Sequence, residues 1–247
     1  MRSGIVAVAF SAVFALAPGA RADWTDVIAP RRCAGCTEGV LGAGFGFDVD
    51  STQRRAVVGG DLRWNSTWPL FLSIDGTGMV GGAPHSIVIV SGRAGWDSRW
   101  VALGASYDAA HGQADASESA GAVVPTTMYV GGYLRLGAAD GLRLEGSLGG
   151  GFWSDHDEGG GWLLRTGLGV PLFARDGHRV ELGVHLDWAQ DAPELLFGRA
   201  GLRWATARHF VLGFSVFHAR DAGLEYRGGM ILVGFRHRRG QLRSALR

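Results

Sequence analysis

GWLLRTGLGVPLFARDGHRVELGVHLDW, Gly161–Trp188, holds two alternating runs joined by Ala174-Arg175-Asp176-Gly177. Successive side chains of a strand point to opposite faces. In the first run Trp162, Leu164, Thr166, Leu168, Val170 and Leu172 therefore share one face, and Leu163, Arg165, Gly167 and Gly169 share the other. In the second, Val180, Leu182, Val184, Leu186 and Trp188 stand opposite to Glu181, Gly183, His185 and Asp187. A hairpin with one apolar face, one polar and glycine-rich face, and tryptophans at its ends fits a barrel whose outside meets lipid.

The design recurs along the chain. Runs of strand length with period-two alternation cover Val40–Val49, Arg55–Trp64, Leu70–Thr77, Ile87–Trp96, Trp100–Asp108 and Thr127–Leu136. The others are Leu142–Trp153, Trp162–Phe173, Arg179–Trp188, Leu196–Trp204, Phe210–His218 and Leu224–Phe235. The third and fourth alternate least regularly, and without them the count falls from about 12 to 10. The connections alternate too. Asn65–Pro69, Asp97–Arg99, Gly137–Gly141, Ala174–His178 and Ala205–His209 are short, whereas Gly78–Ser86, Ala109–Thr126, Ser154–Gly161 and Ala189–Leu195 are mostly longer and richer in acids, Ser and Gly. Short periplasmic turns and longer external loops are the habit of outer-membrane barrels. The fold expected is all-β, an antiparallel transmembrane β-barrel over residues 39–237 with both termini periplasmic.

Tryptophan placement agrees, because an amphipathic indole prefers the membrane interface. Trp64, Trp68, Trp96, Trp100 and Trp204 fall at the short-turn ends of strands, and Trp153, Trp162 and Trp188 at the loop ends. Together they form the expected membrane-interface girdle. A soluble exported barrel binding a small ligand is the alternative all-β reading. It would need an inner face apolar enough to make a dry core, and the face opposite the apolar one is rich in charge and glycine.

Residues 1–22 carry Arg2, an apolar run from Ile5 to Leu16, and Ala20-Arg21-Ala22 before Asp23. This is the layout of a cleaved secretory signal peptide, too short to span a bilayer as a helix. No later segment is a continuous apolar run of spanning length, so membrane residence has to come from strands. All 24 basic residues are arginine, the acids number 23, and the net charge of +1 gives no field for nucleic acid. The 41 glycines follow no Gly-X-Y period and fit strand faces closely approached by other chain.

Cys33 and Cys36, in an amino-terminal segment of residues 23–38, are the only cysteines. In an exported chain such a pair is expected to form a disulfide. Thr37 stands where haem attachment would need histidine, and a zinc site would need further ligands. No phosphate-binding glycine loop, zinc-protease motif or other cofactor signature is present, so no cofactor or metal is expected. His156 among Asp155, Asp157 and Glu158 reads as a solvated external loop.

Over nearly all of its mature length the chain resembles outer-membrane β-barrel proteins of Gram-negative bacteria. The resemblance implies outer-membrane lipid, lipopolysaccharide and the barrel assembly machinery as partners. Phe235 is followed by His237-Arg238-Arg239 and a basic tail over residues 238–247, a departure from members that end on an aromatic residue. Locally, Phe217-His218-Ala219-Arg220-Asp221-Ala222-Gly223-Leu224 resembles the conserved region of PagL-type lipid A deacylases. His218 matches the family's histidine, Glu225 lies near its acidic partner, and Arg220 occupies the place of the catalytic serine. Arginine is no acyl nucleophile, so an enzyme is not expected.

The inner face carries charge of both signs. By phase Arg63, Arg93, Arg135, Arg143, Arg165, Arg199, Arg203 and Arg227 fall there, with Asp48, Asp61, Asp75, Asp108, Glu145, Glu181, Asp187 and Glu225. Charges this confined are expected to pair across and along strands. Two functions follow: an ion-paired network that props and fills the barrel, or a narrow channel whose arginines favour anionic or zwitterionic solutes.

Overall fold

The computed structural model describes residues 33–49, 54–80, 85–114, 127–153, 161–175, 178–189, 196–206, 209–221 and 224–238. Residues 1–22, expected to be a signal peptide, the Asp155–Glu158 loop and the tail beyond Arg238 lie outside the described residues. The strands are β1 Cys36–Asp48, β2 Arg54–Asn65, β3 Leu70–Val80, β4 His85–Asp97, β5 Val101–Ala114 and β6 Thr127–Gly137. They continue with β7 Arg143–Trp153, β8 Trp162–Arg175, β9 His178–Ala189, β10 Leu196–Ala205, β11 Phe210–Asp221 and β12 Leu224–Arg238. Each pairs antiparallel with its chain neighbours, and β1 pairs with β12 from Cys36↔Arg238 to Asp48↔Tyr226, closing a barrel of twelve. No helix occurs among the described residues.

An even strand count brings both ends of the barrel chain to one rim, here termed the turn rim. Its connections are closed by local hydrogen bonds. Ser66 N–H donates to Leu70 O at 2.9 Å, Ser98 N–H to Val101 O at 2.9 Å, and Thr206 N–H to Phe210 O at 2.8 Å. The opposite rim carries the longer connections and is termed the loop rim. There β4 and β5 continue together as far as His85↔Ala114, beyond the end at Asp108 that alternation suggested. Ala109 and Ala110 show no polarity contrast, so the pattern fades while the pairing persists.

Alternation places the apolar side chains outward, where Leu41 is 77% exposed, Phe45 76% and Ile231 65%. Three details of phase differ from expectation. Leu172 does not hold the outer position after Val170: Pro171, which offers no N–H to the ladder, sits at a β-bulge, and Phe173 becomes the outward residue paired with Val180. Arg227 is exposed on the outside, not luminal, because β12 seats Tyr226, Met230 and Leu232 inward. Four consecutive apolar residues, Met230 to Val233, leave that phase unreadable without the pairing to β1. Finally, β1 starts at Cys36, so Cys36 and Glu38 are strand residues with buried side chains.

Inward packing depends on glycine where a ring crosses strands. Gly46, Gly228 and Phe217 form one row across β1, β12 and β11. A methyl group on Gly228 would meet the Phe217 ring at 2.5 Å and the Gly46 Cα at 2.8 Å, and backbone cannot retreat. Outward Gly132 has nothing within 4 Å of such a methyl. Gly228→Ala is therefore expected to destabilise the detergent-folded barrel by about 1–3 kcal/mol through overpacking, and Gly132→Ala to be near neutral. Thermal unfolding followed by gel mobility checks both.

Candidate functional site: the barrel lumen

The lumen has two unlike walls. Inward positions of β1–β3, β11 and β12 gather Val40, Val57, Met79, Val211, Phe217, Tyr226, Met230 and Leu232 into one buried apolar cluster. The inner face is therefore not polar all round: these strands carry the apolar cluster beside Glu38, Asp61, Arg63 and Arg236, and β4–β10 carry most of the remaining charge. Even on the apolar wall, buried Arg55 lies with its guanidinium 5.1 Å from the centre of the Tyr226 ring. That arrangement satisfies a cation with a π face where no water need enter.

On the polar wall, toward the loop rim, Arg165 of β8 is the hub. Its Nε donates to Asp187 Oδ1 at 2.8 Å and its Nη2 to Asp187 Oδ2 at 2.6 Å, a bidentate pair. Its Nη1 reaches Asp108 Oδ1 at 2.7 Å and also donates to Ser91 Oγ. The hub thus ties β8 and β9 to β4 and β5 by a chord through the interior.

Toward the turn rim a longer chain of alternating charge runs from wall to wall. Asp61 of β2 accepts from Arg203, whose Nη1 also holds Glu38 at 2.8 Å. Glu38 accepts from Arg236 Nε at 2.6 Å, and Arg236 Nη2 continues to Asp140 Oδ1 at 3.2 Å. Asp140 is also 3.3 Å from Arg179 Nη1, Arg179 Nη2 lies 2.8 Å from Glu181, and Glu181 lies 2.6 Å from Arg143. Beyond Arg143, Glu145 accepts from the Tyr133 hydroxyl at 2.9 Å and stands 3.8 Å from His185 Nδ1. In a ring of twelve strands the β6–β7 connection faces the β12–β1 seam. An arginine on β12 that reaches Asp140 therefore requires the turn carrying Asp140 to fold across the mouth.

The turn is built to do so. Gly137, at φ +97°, supplies the left-handed residue that turns the chain inward. Ala138 N–H donates to Leu142 O at 3.1 Å and Gly141 N–H to Ala138 O at 2.9 Å, so the turn is closed on itself. Ala138 and Ala139 are buried, unlike Trp68 in the β2–β3 turn, which is 73% exposed. Arg63 Nη1 donates to Ala139 O at 3.2 Å from β2, on the far side. Arg135, itself paired with Asp97 at 2.7 Å, donates from Nε to Gly137 O at 3.0 Å and anchors the base of the turn. Burial alone would raise the Asp140 carboxyl. The guanidiniums of Arg236, Arg179, Arg63 and Arg143 outweigh it and hold the group well below the ordinary aspartate range. Its contribution to stability is complete above the ordinary aspartate pKa and is lost as pH falls from there through the depressed one. Mild acid leaves the turn latched.

Between hub and chain lies a cavity of about 190 Å³. Of the charged residues expected inside from phase, Arg63, Arg93, Arg135, Arg143, Arg165, Arg199, Arg203, Asp61, Asp75, Glu145, Glu181 and Asp187 border it. Arg93 enters from β4, with its guanidinium 5.3 Å from the Tyr133 ring centre. From β10, opposite, Arg199 donates to Ser215 Oγ at 2.8 Å. Among the described residues neither arginine has a carboxylate within ion-pair distance.

Sequence reasoning missed Glu38, Asp140, Arg179 and Arg236. Glu38 and Arg236 were legible by phase had β1 begun at Cys36 and β12 been seated with Leu232 inward. Asp140 was not, since a turn has no alternation. On the outside, Trp64, Trp96, Trp204, Trp162 and Trp188 are exposed at strand ends, with Trp68 and Trp100 exposed in turns of the turn rim. The Trp153 side chain lies outside the described residues. The described residues gather no group of three or more His, Cys, Asp or Glu suited to a metal ion. Replacing Arg165 with Ala would leave Asp108 and Asp187 buried without their cation, a loss expected to be about 3–5 kcal/mol. Chemical unfolding of the variant in detergent checks that value.

No protein-family model matches the sequence, and no curated protein matches it. Solved structures do. The KdgM porin superposes with a TM-score of 0.50 at 9% identity, over 79% of this chain and 98% of its own. An outer membrane channel from Pseudomonas putida F1 superposes with a TM-score of 0.48 at 13% identity, over 83% of this chain and 96% of its own. The first likeness is one of fold: the chain shares the barrel architecture of a porin.

Proposed function

We propose that the mature chain, freed of residues 1–22, sits in the outer membrane as a narrow solute channel that is shut at its turn rim. The observation that carries this reading is the β6–β7 turn, buried in the mouth and held by Asp140 to arginines from β9 and β12. A barrel needing only a filled interior has no use for an open cavity behind a folded turn. The broad outward apolar surface supports lipid as the surroundings, since a soluble barrel exposing Leu41, Phe45, Ile231 and Phe235 together would associate or precipitate. The tryptophans at both rims serve as the interfacial belts of such a barrel. The turn rim, with both termini, faces the periplasm. Cys33 and Cys36, with Cα atoms 5.6 Å apart, are joined as a disulfide in the oxidising compartment this reading implies.

The cavity indicates the solute class. Arg93 and Arg199 point in from opposite walls with no carboxylate at ion-pair distance among the described residues, and with Asp75 also bordering the cavity a small zwitterion or anion between them meets two guanidiniums and one carboxylate. Arg165 and the turn-rim chain are already neutralised and offer the solute structure, not charge.

Planar-bilayer recording of the purified barrel tests the reading. The wild type is expected to pass little or no current, and Asp140→Ala to open a small, mildly anion-preferring conductance that Arg199→Ala makes less selective. Large, stable, nonselective currents from the wild type would refute the closed mouth. Silence from Asp140→Ala, and from a variant lacking residues 138–141, would leave a purely structural barrel.

A further inference from the structure

Outward residues on four adjacent strands form a basic row that the lumen does not explain. The register sets Phe47 of β1 directly opposite Arg54 of β2 on one side and Arg227 of β12 on the other. Arg227 in turn stands opposite His218 of β11. Directly opposed residues of antiparallel strands project to the same face. Here that face is the outside: Arg54, Phe47 and Arg227 are exposed and His218 is half-buried. Strands about 4.8 Å apart place the two arginines roughly 10 Å from each other, astride the Phe47 ring.

The height of the row matters as much as its charge. Along β12 the outward positions from Arg227 toward the turn rim are Gly229, Ile231, Val233 and Phe235. Beside them β11 presents Val216, Phe214 and Leu212, and β1 presents Phe45 and Leu41, all exposed. From Phe235 to Arg227 the strand climbs about 26 Å at roughly 3.3 Å per residue, or about 20 Å of barrel height at a tilt near 40°. That is close to the height of an outer-membrane apolar band, so Arg227 lies where lipid headgroups begin. A groove bordered by Phe45, Phe47, Arg54 and Ala56 adjoins the row. Farther around the barrel the same row continues through Gly198, Leu186 and Thr166, which carry no charge. The basic residues are thus confined to one sector.

We propose that Arg54, Arg227 and His218 bind the phosphate of an anionic membrane lipid whose acyl chains lie along Phe45, Ile231 and Phe214. Two arginines whose backbones stand about 10 Å apart on the outer wall, with side chains long enough to converge on one phosphate and hydrocarbon beneath them, match an anionic headgroup joined to apolar chains. A free anion would gain nothing from the phenylalanines. This site rests on the membrane reading above but not on the lumen being a channel.

Native mass spectrometry of the full mature barrel, released from detergent after incubation with phosphatidylglycerol or phosphatidylcholine, tests the proposal. Heat-modifiable gel migration of each sample establishes first that a barrel has formed. Its absence in the wild type would fail the membrane reading itself and is scored apart from lipid retention. With the barrel folded, the wild type is expected to retain phosphatidylglycerol roughly tenfold over phosphatidylcholine, each surface arginine adding to the attraction. Arg54→Gln with Arg227→Gln should bring the ratio near one while the barrel stays folded, and Arg227→Lys alone should keep most of it. Equal retention of both lipids by the wild type would overturn the proposal. So would an unchanged ratio in the double variant, or displacement of phosphatidylglycerol by millimolar inorganic phosphate.

Discussion

A guanidinium withdrawn from water must keep a carboxylate or an equivalent acceptor, and this barrel meets that requirement by drawing opposite walls together. The decisive contact is Asp140, which Arg236 reaches from β12 and Arg179 from β9. Because Asp140 sits on a connection and not on a strand, its carboxylate can travel to the cations, and the chain carrying it closes the mouth. The buried Arg165 hub works by the same rule higher up, but there every partner is fixed in the wall and nothing has to move. One end of the lumen is therefore braced and the other is latched.

The apolar wall makes this arrangement possible. With β1–β3, β11 and β12 filling their side of the interior with Val57, Met230, Leu232 and the Phe217 ring, the charged side chains occupy only part of the cross-section. Glycines on the polar wall then leave space for the large polar groups. A methyl on Gly167 would strike His185 Nδ1 at 2.7 Å, and one on Gly169 would strike the Arg143 guanidinium. Among the described residues a small cavity of mixed polar and apolar lining remains between hub and latch. The same inward seating of Tyr226 and Met230 that fills the lumen turns Arg227 outward, so the inner packing and the outer basic row follow from one choice of phase.

Much of this was legible in the sequence, and the parts that were not share a physical reason. Twelve strands, their order and the inward phase of Arg165, Asp187, Glu181 and Arg199 follow from period-two alternation, which carries one bit per residue as long as the two faces differ. Where both neighbours are apolar, as from Met230 to Val233, that bit is lost, and Arg227 was assigned to the wrong face. Where an extra residue enters, as at Pro171, alternation slips and Leu172 yields its place to Phe173. Asp140 shows the deeper limit. A turn residue has no phase, and only the closed ring reveals that its carboxylate faces arginines from the far wall.

The central claim is that the β6–β7 turn and the opposite wall are coupled through Asp140 and Arg236, residues 96 positions apart in the chain. A double-mutant cycle on unfolding stability in detergent, using Asp140→Ala, Arg236→Ala and the pair, measures that coupling most directly. If the turn is latched across the mouth, the two single losses should exceed the loss in the double variant by about 0.5–3 kcal/mol. Strict additivity would mean that the two residues do not meet in the membrane, and that the mouth of the barrel is open.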